Sequence, residues 1–215
     1  MKEYIVILGN GGHSSSCIEI LKDSDIYEIY GVISKSTELN TLIHDIDIVG
    51  TDDDLKKIYQ NVKNAIIGIG QIENSIVRKE LYKKLKAVGY NLPSIFSKRS
   101  FFSTDSTCRE GNVFMTNSFV NIDAKIGKCN IINSNALIEH NVDIGDFNHV
   151  STGSIVNGNV KIGNDVFIGS GSVIMNNISI TDNVIVGAGS LVTKAIHRPG
   201  IYYGNPAKYI RGIDE

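Results

Sequence analysis

The sequence predicts two domains of different class, an α/β domain with a small Rossmann-like parallel sheet and then a parallel β-helix of hexapeptide repeats. The first half of the chain alternates strand-like and helix-like segments, which is typical of a parallel sheet. The second half carries isoleucine or valine at every sixth position from Val120 to Val192. We therefore expect the α/β domain at residues 1–96, the β-helix at residues 97–197 and a C-terminal tail at residues 198–215.

The six-residue series is long and unbroken. Its members are Val120, Ile126, Ile132, Ile138, Ile144, Val150, Val156, Ile162, Ile168, Ile174, Ile180, Val186 and Val192. Ile and Val are too small a share of ordinary composition for chance to produce this run. Hexapeptide repetition is the signature of a parallel β-helix, in which three units complete one triangular coil of about 18 residues.

The repeat also predicts how the coils turn and stack. Glycine often follows the inward Ile or Val, and we expect it to ease the turn at the corner. These glycines are Gly127, Gly145, Gly163, Gly169 and Gly187. Asn130 and Asn148 interrupt a second, mainly small or apolar row and are one coil apart. They are therefore expected to stack on successive coils as a hydrogen-bonded ladder.

A glycine-rich segment, GNGGHSSS, follows the first predicted strand and opens the first predicted helix. Backbone N–H groups and the helix dipole bind phosphate at such a position. The dinucleotide fingerprint would need glycine where this chain has Ser14, and the second strand ends in VISK without the acid that binds the NAD ribose. The segment favours a smaller phosphate ligand over NAD, and a simple tight turn is the alternative.

Composition and charge exclude several classes of protein. The chain of 215 residues has a formal net charge of −2 and 42% hydrophobic residues, which is typical of a soluble globular protein. It has no basic run that would indicate nucleic-acid binding, and no segment that would span a membrane. The cysteines Cys17, Cys108 and Cys129 are widely spaced and odd in number, so we expect reduced thiols and a cytoplasmic location.

Three segments together resemble one known family. They are ILGNGGH near the N-terminus, IINSNALIEHNVDIGDFNHVSTGSIVNGNVKIGNDVFIGSGSVI in the repeat region, and GIYYGNPAKYIRG near the C-terminus. This combination resembles the sialic-acid O-acetyltransferase and bacillosamine-pathway sugar N-acetyltransferase family. The resemblance implies a left-handed β-helix that uses acetyl-CoA and no metal. It also implies a homotrimer with its active sites between subunits.

The resemblance implies acetylation of the amino group of a nucleotide-linked 4-amino-4,6-dideoxy sugar, in the synthesis of surface glycans such as lipopolysaccharide O-antigen. O-acetylation of sialic acid by a similar site is the alternative. Relatives that bind UDP often have two aspartates where this chain has Ser34 and Lys35, so the resemblance leaves both UDP and dTDP open as the nucleotide.

The same resemblance assigns roles to individual residues. His140 matches the catalytic base, Asn133 matches a polar active-site position, and Asn141 stands where close relatives carry an acid. The positions that match contacts to acetyl-CoA are His149, Gly158, Ser170 and Ala188. Those that match the sugar-nucleotide loops are Gly11, Gly12, His13, Gly70 and Gln71, with Ser34 and Lys35 at the nucleobase position.

The spacing of the two repeat-region histidines predicts a shared site. His140 and His149 are nine residues apart, which is half the perimeter of a coil, with the apolar core between them. Asn133 and His149 are 16 residues apart, so they lie on nearly the same face. A site that uses all three residues must therefore combine two subunits.

Two other classes of function compete with this interpretation. β-Helix trimers that hold zinc need three converging histidines, and the repeat region has two. Solenoids also serve as non-catalytic binding surfaces. The glycine-rich loop of the first domain argues against such a scaffold function.

Overall fold

The structure, a computed structural model, describes residues 1–35 and 41–213. It divides into two compact units. The first comprises Met1–Gly70 and Ile76–Lys98, and the second comprises Gln71–Ser75 and Arg99–Glu215. The short segment Gln71–Ser75 therefore belongs structurally to the second unit, although the chain of the first unit continues on both sides of it.

The first unit is a small α/β sheet with helices between its strands. Its elements are β1 (Glu3–Leu8), α1 (Gly12–Lys22), β2 (Tyr27–Ile33), β3 (Leu42–Ile43), β4 (Ile46–Gly50), a 3-10 turn (Asp52–Asp54), α2 (Leu55–Ile58), β5 (Asn64–Ile67), α3 (Ile76–Val88) and β6 (Ile95–Phe96). The sheet order is β3-β4-β2-β1-β5. All its neighbours are parallel except the β3–β4 hairpin, so the Rossmann-like expectation is confirmed.

The order of the sheet places the glycine-rich loop at a topological switch point. β1 is flanked by β2 on one side and β5 on the other, because the chain winds from β1 outward to β2 and β4 and then crosses back to the opposite side of β1. Ligands of open α/β sheets bind in the crevice at the carboxyl end of such a strand. Residues 9–12 follow that end directly, and Gly11 is the N-cap of α1.

The second unit is a parallel β-helix with three sheets, each made of short strands one coil apart. The first sheet contains β7 (Phe101–Phe102), β10 (Phe119–Val120), β13 (Leu137–Ile138), β16 (Ile155–Val156), β19 (Val173–Ile174) and β22 (Leu191–Val192). The second contains β8 (Thr107–Cys108), β11 (Lys125–Ile126), β14 (Asp143–Ile144), β17 (Lys161–Ile162) and β20 (Ser179–Ile180). The third contains β9 (Val113–Phe114), β12 (Ile131–Ile132), β15 (His149–Val150), β18 (Phe167–Ile168), β21 (Val184–Val186), β23 (Gly200–Gly204) and β24 (Ala207–Arg211).

The inner row of the β-helix is the six-residue series. All thirteen Ile and Val residues are buried, and they form one core cluster together with small residues such as Ala124 and Ala136. Strands pair with a register of one coil, as in Ile126 with Ile144. The hexapeptide prediction is therefore confirmed residue by residue.

The asparagine ladder is also present. The backbone N–H of Asn148 donates to Asn130 Oδ1 at 2.7 Å, and the N–H of Val166 donates to Asn148 Oδ1 at 2.7 Å. Asn112 begins the same ladder by accepting from the N–H of Asn130 at 2.8 Å. These bonds satisfy backbone N–H groups and amide oxygens inside a corner, where an unpaired group is costly, while Asn148 Nδ2 has no partner among the described residues.

The glycines that follow the inward residues have a different role from the expected one. None of them has a positive φ; the left-handed corner positions are taken by Asn, Asp and other residues, such as Asn135 at +58° and Asn141 at +60°. Glycine is needed instead because successive coils approach closely. A Cβ on Gly145 would lie 2.6 Å from the carbonyl oxygen of Gly163 in the next coil.

We therefore expect Gly145→Ala to destabilise the β-helix by about 1–3 kcal/mol, because a methyl group must push two coils apart. The matched control is Gly153→Asn. Gly153 has φ +67° and open space around its Cβ, and asparagine already occupies the equivalent position one coil earlier, at Asn135. Thermal or denaturant unfolding measures the difference. Equal stability of the two variants would contradict the close-approach explanation.

The outward rows of the first two sheets differ in polarity. The first sheet presents only apolar residues, namely Phe101, Phe119, Leu137, Ile155, Val173 and Leu191. The second presents exposed polar residues, namely Thr107, Lys125, Asp143, Lys161 and Ser179. Two faces of one prism thus have opposite character, and the apolar one lacks the polar groups that normally face water.

The C-terminal segment ends in a hairpin. β23 pairs parallel with β21, and β24 turns back antiparallel on β23. Of the described residues, none lies in a helix that is both long and apolar enough to cross a membrane.

Candidate active site

The predicted site residues of the β-helix lie on two of its three corners, except His149, which lies in β15 of the third sheet, two residues before the next turn. We call the turn between the third and first sheets the Asn133 corner, which comprises residues 133–136 and their equivalents in later coils. We call the turn between the first and second sheets the His140 corner, which comprises residues 139–142 and their equivalents. The apolar outward row of the first sheet therefore has one of these corners along each edge.

His140 is exposed and oriented by its neighbour. Its Nδ1 lies 2.9 Å from Asn141 Oδ1. An amide oxygen only accepts, so Nδ1 carries the proton and Nε2 keeps its lone pair. Glu139 does not face the ring, because its Oε2 accepts from Asn121 Nδ2 at 2.8 Å and from the backbone N–H of His140 at 3.2 Å.

Gly158 lies directly against the imidazole, one coil after His140 in sequence. A Cβ at this position would lie 2.6 Å from His140 Nε2 and 2.5 Å from Cε1. The backbone N–H of Gly158 has no hydrogen-bond acceptor among the described residues. The His140 corner therefore combines a base with an unused backbone donor.

Asn133 and His149, which their spacing placed on nearly the same face, are in contact within one chain. Asn133 Nδ2 lies 3.0 Å from His149 Nε2. His149 is 7% exposed and packs edge-on against Phe167, with ring centroids 5.2 Å apart. Its other nitrogen, Nδ1, lies 2.7 Å from the backbone oxygen of Gln71.

The other two predicted cofactor positions extend along the Asn133 corner. Ser170 and Ala188 are exposed and occupy equivalent places one coil apart, and Ser170 Oγ pairs with Ser151 Oγ at 2.9 Å. A Cβ added to Gly171 or Gly189 beside them would meet no atom within 4 Å. From the coil of Asn133 to that of Ala188, this open edge is roughly 14 Å long at about 4.8 Å per coil.

The first unit holds the predicted phosphate loop. Gly11 occupies the N-cap position of α1, and no side chain accepts from the first N–H groups of the helix. A Cβ on Gly11 or Gly12 would meet no atom within 4 Å. Gly70 lies beside His13, since its Cβ would be 3.5 Å from His13 Cβ. The start of α1 is thus open to a ligand.

His13 is held from inside the first unit by Cys17. The two residues are joined by a contact of 3.7 Å between Cys17 Sγ and His13 Nε2. Burial raises the pKa of the Cys17 thiol to about 12, so the sulfur stays protonated beside the imidazole. Cys17 is therefore a packing group that orients His13.

A cleft of about 580 Å³ opens at the carboxyl ends of the strands in the first unit. Gly9, Asn10, Ser34 and Lys35 lie on its wall. The wall also includes Thr51, whose side chain caps the following turn by accepting from the N–H of Asp53 at 3.3 Å. The two substrate positions Ser34 and Lys35 are thereby brought together with the glycine-rich loop.

The structure separates two residues that the sequence grouped. Gly70 belongs to the first unit beside His13, whereas Gln71 belongs to the second unit and bonds His149. The apolar outward row of the first sheet was missed at the level of sequence. The sequence contains a pattern that predicts this row. The residue before each inward Ile or Val is apolar in the strands of the first sheet and polar in those of the second. Among residues 1–35 and 41–213, no three His, Cys, Asp or Glu side chains are grouped to hold a metal.

Two family models match the chain. Residues 4–85 match the PglD N-terminal domain, and residues 159–194 match the bacterial transferase hexapeptide with six repeats. These two matches make the chain similar to the PglD-type hexapeptide transferases. This confirms the family that the three sequence segments indicated, and with it a left-handed β-helix behind a parallel-sheet domain. No curated protein matches the chain.

Solved structures of similar proteins cover nearly the whole chain. A histidine-to-asparagine mutant of perosamine N-acetyltransferase from Caulobacter crescentus, in complex with CoA and GDP-perosamine, is 25% identical over 96% of each chain, with a TM-score of 0.90. The acetyltransferase domain of PglB from Neisseria gonorrhoeae, in complex with acetyl coenzyme A, is 23% identical over 98% of this chain and 100% of its own, with a TM-score of 0.90. WeeI from Acinetobacter baumannii is 23% identical over 97% and 100%, with a TM-score of 0.84.

Proposed function

We propose that this protein moves the acetyl group of acetyl-CoA to the amino group of a nucleotide-diphosphate 4-amino-4,6-dideoxy sugar. The observation that carries the proposal is the His140 corner, where a base with a free Nε2 lies against the unused N–H of Gly158. The similar protein from Caulobacter crescentus, solved with CoA and a nucleotide-linked amino sugar, supports this choice of substrate class.

His140 is the general base of this reaction. As the sugar amine attacks the acetyl carbonyl, its proton passes to His140 Nε2, and the imidazolium then returns a proton to the departing CoA thiolate. The amide oxygen of Asn141 holds Nδ1–H during both steps, at 2.9 Å. The reaction needs no covalent intermediate, since amine and thioester react directly.

Gly158 supplies the electrostatic part of the chemistry. A backbone N–H that has no partner among the described residues is free to donate to the oxygen of the tetrahedral intermediate. Its lack of a side chain is required twice over, because a Cβ would collide with the imidazole and block the approach of the acetyl group.

Acetyl-CoA fits the open edge of the Asn133 corner. The pantetheine arm is long and thin, and the edge formed by Ser170, Gly171, Ala188 and Gly189 offers small side chains over several coils. The nucleotide fits the first unit, where the uncapped start of α1 takes phosphate and the cleft beside Ser34 and Lys35 takes the base.

A homotrimer completes the site. A C3 arrangement that turns the apolar first sheet toward the axis covers its outward row and brings the two flanking corners of adjacent copies together. His140 and Gly158 of one subunit then face Asn133 and the cofactor edge of the next. The polar second sheet stays in water.

A substrate panel tests the proposal. Purified protein is given acetyl-CoA with UDP-, dTDP- and GDP-linked 4-amino-4,6-dideoxy sugars and with sialic acid, and CoA thiol release is measured. We expect turnover with at least one nucleotide amino sugar and a product acetylated on nitrogen. Turnover with sialic acid alone would overturn the proposal in favour of O-acetylation.

The departure at Asn141 gives a separate prediction. Asn141→Asp places a carboxylate on Nδ1–H, which stabilises the imidazolium form as a neutral amide does not. The base is then lost to protonation at higher pH, so the acidic limb of the pH–rate profile is expected to move upward. The control is Asn159→Asp, one coil further on the same corner. Identical profiles for Asn141→Asp and the parent would show that Asn141 does not orient His140.

A further inference from the structure

The side-chain amide of Asn133 has a determined orientation. Its Oδ1 accepts from the backbone N–H of Ser134 at 2.7 Å, and a backbone N–H only donates. The NH₂ end therefore points to His149 Nε2, 3.0 Å away. One of its two hydrogens occupies that bond, and the other has no acceptor among the described residues.

The same bonds determine the tautomer of His149. The NH₂ of Asn133 donates to Nε2, which must present a lone pair, and the carbonyl of Gln71 accepts from Nδ1, which must carry the proton. Both ring nitrogens are thus used by the protein itself. His149 has no N–H left for the acetyl group of the cofactor.

Gln71 is fixed to the β-helix at a second point of its segment. The segment Gln71–Ser75 is assigned to the second unit, and Ser75 Oγ donates to Asp165 Oδ1. Gln71 and Ser75 are 4% and 3% exposed, while Ile72 between them is 68% exposed. The carbonyl that orients His149 is therefore part of a segment, Gln71–Ser75, that is anchored to the β-helix at both ends; we call this segment the strap.

We propose that His149 is a positioning residue. It acts through Asn133, whose free amide N–H it directs at an acceptor oxygen of the bound substrates, and the Gln71 carbonyl holds it in the required tautomer. The inference rests on the proposed acetyl transfer for the role of Asn133, but not for the hydrogen-bond directions. It differs from direct contact between His149 and acetyl-CoA, which the family resemblance implied.

The hydrogen-bond directions are tested without any substrate. In the full-length protein labelled with ¹⁵N-histidine, long-range ¹H–¹⁵N correlation spectra identify the His149 ring by its absence from His149→Gln. We expect one neutral tautomer with the proton on Nδ1. A proton on Nε2, or exchange between the two tautomers, would overturn the proposal whether or not the protein acetylates an amino sugar.

Two conservative variants separate the two ends of the ring. A glutamine amide oxygen can replace the acceptor Nε2, and an asparagine amide N–H can replace the donor Nδ1. We expect His149→Gln to keep kcat within about tenfold of the parent, and His149→Asn to fall as far as His149→Ala. The Asn133→Asp variant, which loses the donor, should lower kcat in the same way.

The opposite order of the variants would overturn the positioning role. If His149→Asn retains activity and His149→Gln loses it, the ring serves only to tether the strap. If all three His149 variants raise the KM for acetyl-CoA and leave kcat unchanged, His149 contacts the cofactor. A protein that acetylates no nucleotide amino sugar refutes the proposed function, while the tautomer measurement still decides this inference.

Discussion

Replacing His140 with alanine is expected to lower the rate of acetyl transfer by about 10²- to 10⁴-fold, with little change in the affinity for acetyl-CoA. In the proposed mechanism His140 Nε2 takes the proton of the attacking amine, so its loss leaves proton transfer to water. The cofactor edge along Ser170 and Ala188 lies on the other corner of the same chain, so cofactor binding is retained. Steady-state kinetics and cofactor titration measure the two quantities.

His197→Ala is the matched control for that variant. His197 is exposed and lies in neither the Asn133 corner nor the His140 corner. Its replacement should therefore leave both the rate and the free energy of unfolding near those of the parent. If the His140→Ala protein retains more than a tenth of the parental rate, His140 is a surface residue and not the general base. Unfolding curves of both variants exclude loss of structure as the cause.

Mixing two inactive variants is expected to restore activity. One variant carries His140→Ala and the other Asn133→Ala, and neither trimer contains a site with both residues. After dissociation and random reassembly in equal amounts, each site of the proposed trimer draws His140 from one subunit and Asn133 from its neighbour. About a quarter of the sites then hold both residues, as follows from C3 symmetry.

Subunit exchange must be shown independently, for example by two affinity tags recovered in one trimer. Activity near a quarter of the parental value supports a site between subunits. Activity that stays at the level of the variants despite proven exchange would mean that the two corners do not work together. Exchange of a parental protein with His140→Ala serves as the positive control.

The sequence determined most of the β-helix, because its contacts repeat with the chain. Inward residues recur every six positions and coil neighbours every eighteen, so the buried core and the Asn130–Asn148 ladder follow from spacing alone. The position of Asn133 and His149 on nearly the same face follows from the same count, and the structure adds their contact. The glycine-rich opening of α1 also follows from the sequence, since glycine turns are local.

The tertiary structure alone decided the features that depend on contacts without a period. It showed that Glu139 bonds Asn121 instead of the imidazole, which leaves Asn141 as the partner of the ring. It showed that glycine follows the inward residue because coils approach closely, a distance that a turn rule does not contain. It also joined Gln71 to His149 across 78 positions. No repeat or local propensity predicts such a contact, because it depends on the path by which the chain returns to the β-helix.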